Sequence, residues 1–346
     1  MADTPASPEI LVSLIVPVYN RAAEVQELLR SISEDFIPSE HAKLIEIILT
    51  DDGSEPPLAD TLRIPQNIQP FTNLLRQENA GPGAARNRAA ESARGSWLLF
   101  LDSDCELPSG FLNRLIAQLQ HADPQLSLFG GPDRDRADFT LIQKAINYAM
   151  TSPLTTGGIR GGSKALDRFY PRSFNMGIRK DTFVALGGFS ALRFGEDLDL
   201  SMRVLEAGGQ SALIPDLAVY HRRRTTLRAF FRQVFNSGMA RVVLEKRHPG
   251  SLKAVHLLPS FFVIGLTLLP LITLYFPAAF FGFLFFLFML LFHAMRTTAS
   301  LRVSLLSVPA SFVQLSGYGL GLMKGLYKFR LRNEPVTFSF EKNFYQ

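Results

Sequence analysis

The sequence predicts an α/β domain, a mostly parallel sheet flanked by helices, followed by an apolar helical hairpin of membrane-crossing length. Three observations predict it. Short apolar runs alternate with stretches of helical spacing, which is the pattern of a parallel sheet with crossover helices. Those runs end in acidic or turn-forming residues, where such sheets collect ligands. From Ala254 to Met295 there is no Asp, Glu, Lys or Arg, enough for two crossings of about 20 residues each.

The elements follow in order. Leu11–Val18 (LVSLIVPV) is nearly all apolar, as a strand buried on both faces requires. Arg21–Ile32 has helical spacing through Val25, Leu28, Leu29 and Ile32. Leu44–Leu49 is a second strand running into Thr50-Asp51-Asp52-Gly53-Ser54, and Asn73–Leu75 a short third. Ala84–Arg94 reads as a helix, Trp97–Leu101 as the next strand and Gly110–Gln120 as a helix. Leu126–Gly131 is expected to be a strand, and Thr151–Ser163, rich in Gly, Ser and Thr, a mobile loop. Phe174–Leu186 contains Asn175-Met176-Gly177 and then a helix. A helix opens at Gly195-Glu196-Asp197, with Leu198, Leu200, Val204 and Leu205 toward the core. Leu213–Tyr220 is the last expected strand, running into His221. Residues 1–240 form the expected catalytic domain, 241–332 a membrane region and 333–346 a tail.

Two helices, Leu257–Phe276 and Ala278–Met295, meet at the uncharged Phe276-Pro277 tip. Arg241, Lys246, Arg247 and Lys253 precede them, and Arg296 and Arg302 follow. The positive-inside rule then places both ends, and the catalytic domain, on the cytoplasmic side of the cell's inner membrane. Val303–Met323 is less apolar and carries Gln314 and Pro309; it reads as a re-entrant or interfacial segment in preference to a third span. Met1–Ile10 lacks the basic and apolar regions of a signal peptide.

Composition narrows the partners. The 346 residues are too many for one ordinary core, and 47% are hydrophobic. The net charge is +5, but the basic clusters flank the apolar region, which favours lipid headgroups and argues against nucleic acid. The single cysteine, Cys105, excludes an internal disulfide and a cysteine-based zinc cluster, and reads as a small buried residue.

The chemistry centres on Trp97–Asp104 (WLLFLDSD). A buried strand ending in two carboxylates delivers them to a cleft, and oxygen ligands of this kind suit Mg²⁺ or Mn²⁺ bound with substrate phosphates. Taken with SLIVPVYNR (13–21), TDDGS (50–54), NAGPGAARN (79–87), FNMGIRKDTF (174–183) and GEDLDL (195–200), the chain resembles a family 2 glycosyltransferase over about residues 11–240. The resemblance implies a GT-A fold, a nucleotide-sugar donor, expected from the base contact to be UDP-linked, a divalent metal (Mn²⁺ or Mg²⁺) and inversion at the anomeric carbon.

It also implies residue roles. Asp104 holds the metal with Asp102 nearby, neutralising the departing diphosphate; Asp102 and Ser103 reach ribose or sugar hydroxyls. Asp51 or Asp52 accepts the imide N–H of a uracil-like base, with Asp51 favoured; Tyr19 stacks on that base, and Pro17 and Asn20 belong to the same nucleotide-sugar site. Gly81 opens a helix whose N–H groups can meet phosphate or sugar oxygens. Arg86 either contacts the donor or makes a helix-surface salt bridge. Asp197 is the candidate base for an acceptor hydroxyl, with Glu196 supporting it. His221 is the candidate third metal ligand. Relatives that polymerise sugars carry a Gln-and-Trp motif near Arg232-Gln233; this chain lacks the Trp, which favours transfer of a single sugar to a lipid-linked or glycan acceptor beside the bilayer. The rival reading is a nucleotide-binding membrane scaffold without catalysis.

Overall fold

A computed structural model describes residues 10–36, 40–134, 138–156 and 169–335. They divide into two compact units: 10–134 with 169–222, and 138–156 with 223–335.

The first unit is built on a seven-stranded sheet. Its elements begin β1 (Val12–Val18), α1 (Ala22–Asp35), β2 (Ile45–Asp51), α2 (Leu58–Thr61) and β3 (Thr72–Arg76). They continue with α3 (Pro82–Ser92), β4 (Trp97–Leu101), β5 (Cys105–Glu106), α4 (Phe111–Gln120), β6 (Leu126–Gly130) and β7 (Asp133–Arg134). After α5 (Leu141–Thr151) and α6 (Pro153–Thr156), which belong to the second unit, come β8 (Asn175–Arg179), α7 (Lys180–Ala185), α8 (Glu196–Glu206), β9 (Gln210–Leu213) and β10 (Val219–His221). The order across the sheet is β3-β2-β1-β4-β8-β6-β9. β8 alone runs antiparallel, to both β4 and β6. β5, β10 and β7 form a second, small sheet.

The apolar runs explain the centre of this sheet. Every residue of β2 and β4 is buried, and each fully buried Leu, Ile or Phe contributes about 1.5–3 kcal/mol over exposure. One layer packs Val25, Leu28, Leu29 and Ile32 of α1 with Leu112, Leu115 and Ile116 of α4. On the other layer Phe100 meets Phe183 and Phe189, with ring centroids 5.4 and 4.9 Å away. Val18 pairs with Asp51, and Ile15 with Phe100, so β1, β2 and β4 end on one edge of the sheet.

Four expectations need correcting. The stretch 213–220 is not one strand: β9 ends at Leu213, a 3-10 turn covers Pro215–Leu217, and β10 restarts at Val219. Pro215 has no N–H for a ladder, and the Leu217 carbonyl is taken by the Asn175 side chain at 2.6 Å. Residues 175–179 form a strand where only a helix lead-in was expected. Gly177 breaks the apolar run there because a Cβ would lie 2.0 Å from the Phe129 ring. In α8, Leu198 and Leu205 are half-buried, while Asp197 and Asp199 are buried. Of the expected loop 151–163, Thr151 closes α5 and 153–156 form α6; 157–163 lie outside the described residues, as do 1–9 and 336–346 of the two ends.

The second unit adds α9 (Leu227–Arg247), α10 (Leu258–Tyr275), α11 (Ala278–Thr298) and α12 (Leu301–Gly325). Among the described residues three segments, Ala254–Tyr275, Ala278–Thr298 and Leu301–Leu331, are long and apolar enough to cross a membrane. The third differs: 44% of its apolar window is buried, against 6% and 11% for the others. It is one continuous helix through Pro309. Glycines bring it close to its neighbours: a Cβ at Gly238 would lie 2.2 Å from the Tyr318 carbonyl, and one at Gly321 2.0 Å from that of Phe235. Near its start Ser304 Oγ meets Thr298 Oγ1 at 3.1 Å; farther along, the Gly319 carbonyl accepts from Ser260 Oγ at 3.1 Å. In the same unit Tyr148 of α5 bonds to His293 Nδ1 of α11 at 2.8 Å.

Candidate active site

The end of β1 is sewn to the loop after β2. Asn20, at φ 52°, donates its backbone N–H to Ser54 Oγ at 3.0 Å and accepts from Glu55 N at 2.8 Å. Pro17 and Tyr19 beside it are half-buried. Asp51 is buried, and its carboxylate accepts from Ser54 N at 2.8 Å, Leu58 N at 3.0 Å and the Arg76 guanidinium. Burial pushes this carboxyl upward, but those donors and the Arg76 charge outweigh burial and hold it below its ordinary value. Asp52 accepts from Gln77 Nε2, Ala80 N and Gly81 N at 2.7, 2.9 and 2.9 Å. Burial dominates there and raises its carboxyl. Both acids therefore brace the loops around them: Asp51 its own turn, Asp52 the start of α3. Gly81 needs its freedom at φ 95° to turn the chain into that helix.

One turn into α3, Arg86 is 3% exposed and joins three motifs. Its Nη2 donates to Asp102 at 2.6 Å and to Ser173 Oγ at 3.1 Å. Its Nη1 donates to Glu196 at 3.3 Å. The alternative of a surface salt bridge is thus replaced by a buried hub. Glu196 is raised to about 7, first by burial and then by the Asp197 charge, with Arg86 opposing. Asp197 accepts from Leu198 N at 2.8 Å, Ser173 N at 3.4 Å and Arg172 Nε at 2.8 Å. Asp199, fully buried, is held by Ser190 and Arg203 and braces α8.

Beyond β4, Ser103 is buried, and Asp104 faces Arg21 Nη1 at 3.1 Å and His221 Nε2 at 3.3 Å. His221 of β10 pairs across the small sheet with Cys105 of β5. Phe174 stacks on the imidazole at 4.8 Å with planes 13° apart. Cys105 is buried and donates to the Phe174 carbonyl at 3.4 Å; burial pushes its thiol well up. Ligand atoms of Asp104, Cys105 and His221 lie within 4.8 Å of one another. Of the arginine run, Arg222 pairs with Glu27, and Arg223 is buried against Asn147 at 2.7 Å.

Residues 13–194 match the family model "Glycosyl transferase family 2". The chain belongs to glycosyl transferase family 2. Among its relatives is an uncharacterised glycosyltransferase of Haemophilus influenzae, 29% identical over 57% of this chain and 62% of that protein. Another is the undecaprenyl-phosphate 4-deoxy-4-formamido-L-arabinose transferase of Pseudomonas fluorescens, 25% identical over 62% and 55%. The chain therefore spans less than two-thirds of either relative. The mannosyltransferase PcManGT of Pyrobaculum calidifontis, solved with GDP-Man and Mn²⁺, shares the fold at TM-score 0.59, with 18% identity over 87% of this chain and 86% of that one. The α/β architecture is thus the GT-A fold expected.

In this family 2 chain the motif acids from β4 and α8 meet through Arg86, and Asp104 meets His221. Asp51 does not share that cluster directly; it lies at the β2 end with its oxygens taken. A carboxylate oxygen and an imidazole nitrogen 3.3 Å apart are a donor set that suits Mn²⁺, and the carboxylate alone suits Mg²⁺. Arg21, Arg76, Gln77, Arg172, Ser173 and Phe174 contribute without having been singled out from sequence. Arg21 follows Asn20 within a quoted motif, so its position was a signal. Arg172 carries none, because its approach to Asp197 depends on a turn no spacing reveals.

Proposed function

We propose that the chain transfers one sugar from a nucleotide-diphosphate sugar to an acceptor, with inversion and with a divalent metal. The observation that carries this reading is the single cluster formed by Asp102, Arg86, Glu196 and Asp197, with Asp104 and His221 adjacent in sequence and sheet. PcManGT's GDP-Man and Mn²⁺ support a nucleotide sugar and a metal as partners. Asp104 and His221 would hold the ion, whose charge would neutralise the leaving diphosphate.

The chain's own residues have defined work in this scheme. Asp52 and Gly81 fix the loop that presents the α3 N-terminus to phosphate. Asp51, through Arg76 and Ser54, shapes the base-binding turn; accepting a base N–H would require it to give up one of its present donors. Arg86 orients Asp102 toward the donor and Glu196 beside Asp197. Arg172 covers Asp197 and is 38% exposed, so an acceptor hydroxyl can take its place and pass its proton to Asp197. An acceptor phosphate arrives already ionised and needs no such transfer. The undecaprenyl-phosphate relative and the apolar helices favour a lipid-linked acceptor.

The same reading places α10 and α11 across the inner membrane as a hairpin with the catalytic unit in the cytoplasm. Thr298 and Ser260 then lie on one side. Ser304 and Gly319 contact those two residues and stand about 22 Å apart along α12. Between them Phe312 packs on Phe262, Phe283 and Phe286, so α12 leans into the hairpin; the two end contacts favour an oblique helix that keeps Lys324, Lys328, Arg330 and Arg332 on the cytoplasmic side. Calorimetry with UDP-, GDP-, dTDP- and CDP-sugars, with and without Mn²⁺, tests the donor. Binding of one nucleotide class that strengthens with Mn²⁺ supports the proposal; no binding by any overturns it, and binding without nucleotide release in the presence of acceptor favours the scaffold reading.

A further inference from the structure

Cys105 has no part in the scheme above, yet it lies beside the metal pair. It stands opposite His221 in the β5–β10 ladder, where cross-strand partners share a face. Its sulfur, an oxygen of Asp104 and a nitrogen of His221 lie within 4.8 Å. Phe174 ties the group together: its ring stacks on the imidazole, and its carbonyl accepts from the thiol. Asp104 and His221 keep 15% and 18% side-chain exposure, which leaves the group an opening that the buried sulfur lacks by itself.

The ligand chemistry separates two kinds of cation. Mn²⁺ and Mg²⁺ are served by carboxylate, imidazole, water and phosphate oxygens and gain little from sulfur. Zn²⁺ and Cd²⁺ favour thiolate, and a carboxylate, an imidazole and a thiolate make three legs of a tetrahedral site. We propose that Asp104, Cys105 and His221 form a site for thiophilic divalent cations, which Zn²⁺ or Cd²⁺ occupies by displacing the Cys105 proton to solvent as the metal–sulfur bond forms. The Cys105–Phe174 hydrogen bond is lost in that step. The proposal rests on the Asp104–His221 pairing used above, and it makes the metal position sensitive to zinc: an ion gripped by sulfur would block the Mn²⁺ or Mg²⁺ that turnover needs.

Because Cys105 is the only cysteine, a thiolate-to-metal signal has one source. Detergent-purified, tag-free full-length protein is titrated with Cd²⁺ alone, and the ultraviolet charge-transfer band of a cadmium–thiolate bond is recorded. The expected result is a band saturating at one equivalent, absent in Cys105→Ser. In His221→Ala, and separately in Asp104→Asn, the apparent Cd²⁺ affinity falls by about tenfold or more. No band at one equivalent, or a band of wild-type affinity in both ligand variants, overturns the site. The band is read without donor or acceptor. A cadmium band in a protein that lacks sugar transfer would sink the proposed function alone. Sugar transfer without the band would sink this site alone.

Discussion

Arg86 shows what a single side chain does in this fold. It is buried, yet it carries a full charge between Asp102 and Glu196, and removing one partner of a buried pair leaves the others uncompensated. Arg86→Ala is expected to cost about 3 kcal/mol, read as a lowered thermal midpoint of the purified protein. Arg86→Lys keeps the charge but loses the planar fork that reaches two acids at once. Its kcat is expected to fall about a hundredfold with a smaller loss of stability; wild-type kcat in the lysine variant would remove Arg86 from the scheme. Glu196 adds a pH signature. Its carboxyl stands at about 7 in the fold against 4.5 ordinarily. The folded state therefore holds an extra proton between those values, and this residue's contribution to stability declines as pH rises through that window and is level above it. The thermal midpoint of wild type, compared with Glu196→Gln across the window, should show that decline and its loss in the variant. The sequence signalled that Asp102, Asp104, Glu196 and Asp197 matter, because each ends a strand or opens a helix in a motif. It did not show that Arg86 would be buried, since a helix-borne arginine among alanines has the same pattern on a surface.

Among elements, the strands with continuous apolar runs were legible to within a residue or two: β1, β2 and β4 carry their burial in their composition. β8 was not, because Gly177, required by the Phe129 ring, interrupts the run that would have marked it. β9 and β10 merged into one expectation because the stretch is strand-like on both sides of Pro215, the residue at which the ladder breaks. α12 was the hardest element to read. Its hydropathy is low because it carries glycines that face α9 and α10 and serines that are buried, and protein packing there replaces lipid contact. Replacing Gly321 with Val should therefore disrupt the α9–α12 contact, where even a Cβ lies 2.0 Å from the Phe235 carbonyl. The expected cost is about 1–3 kcal/mol, measured by thermal denaturation in detergent. The same substitution at Gly282 of α11, where nothing lies within 4 Å, is the control and should cost far less.

For the whole molecule, the proposal is a cytoplasmic sugar-transfer unit in one chain with a two-crossing hairpin and an oblique third helix. Reporter fusions to the C-terminus and to the Phe276-Pro277 tip separate this from three crossings. The account expects a cytoplasmic signal at the C-terminus and an external one at the tip; external signals at both would make α12 a full span. The acceptor can be judged from Asp197. With a lipid phosphate as acceptor, Asp197→Asn should retain substantial turnover, whereas a hydroxyl acceptor predicts a fall of about 100-fold or more. The central claim is that Asp104 belongs to one metal-dependent site with the donor, and nucleotide release tests it most directly. Purified protein with its cognate nucleotide sugar and acceptor should release nucleotide only with Mn²⁺ or Mg²⁺, and Asp104→Asn should lose about 100-fold or more of that rate. Release that proceeds equally without a divalent cation, or at the wild-type rate in Asp104→Asn, would contradict the account.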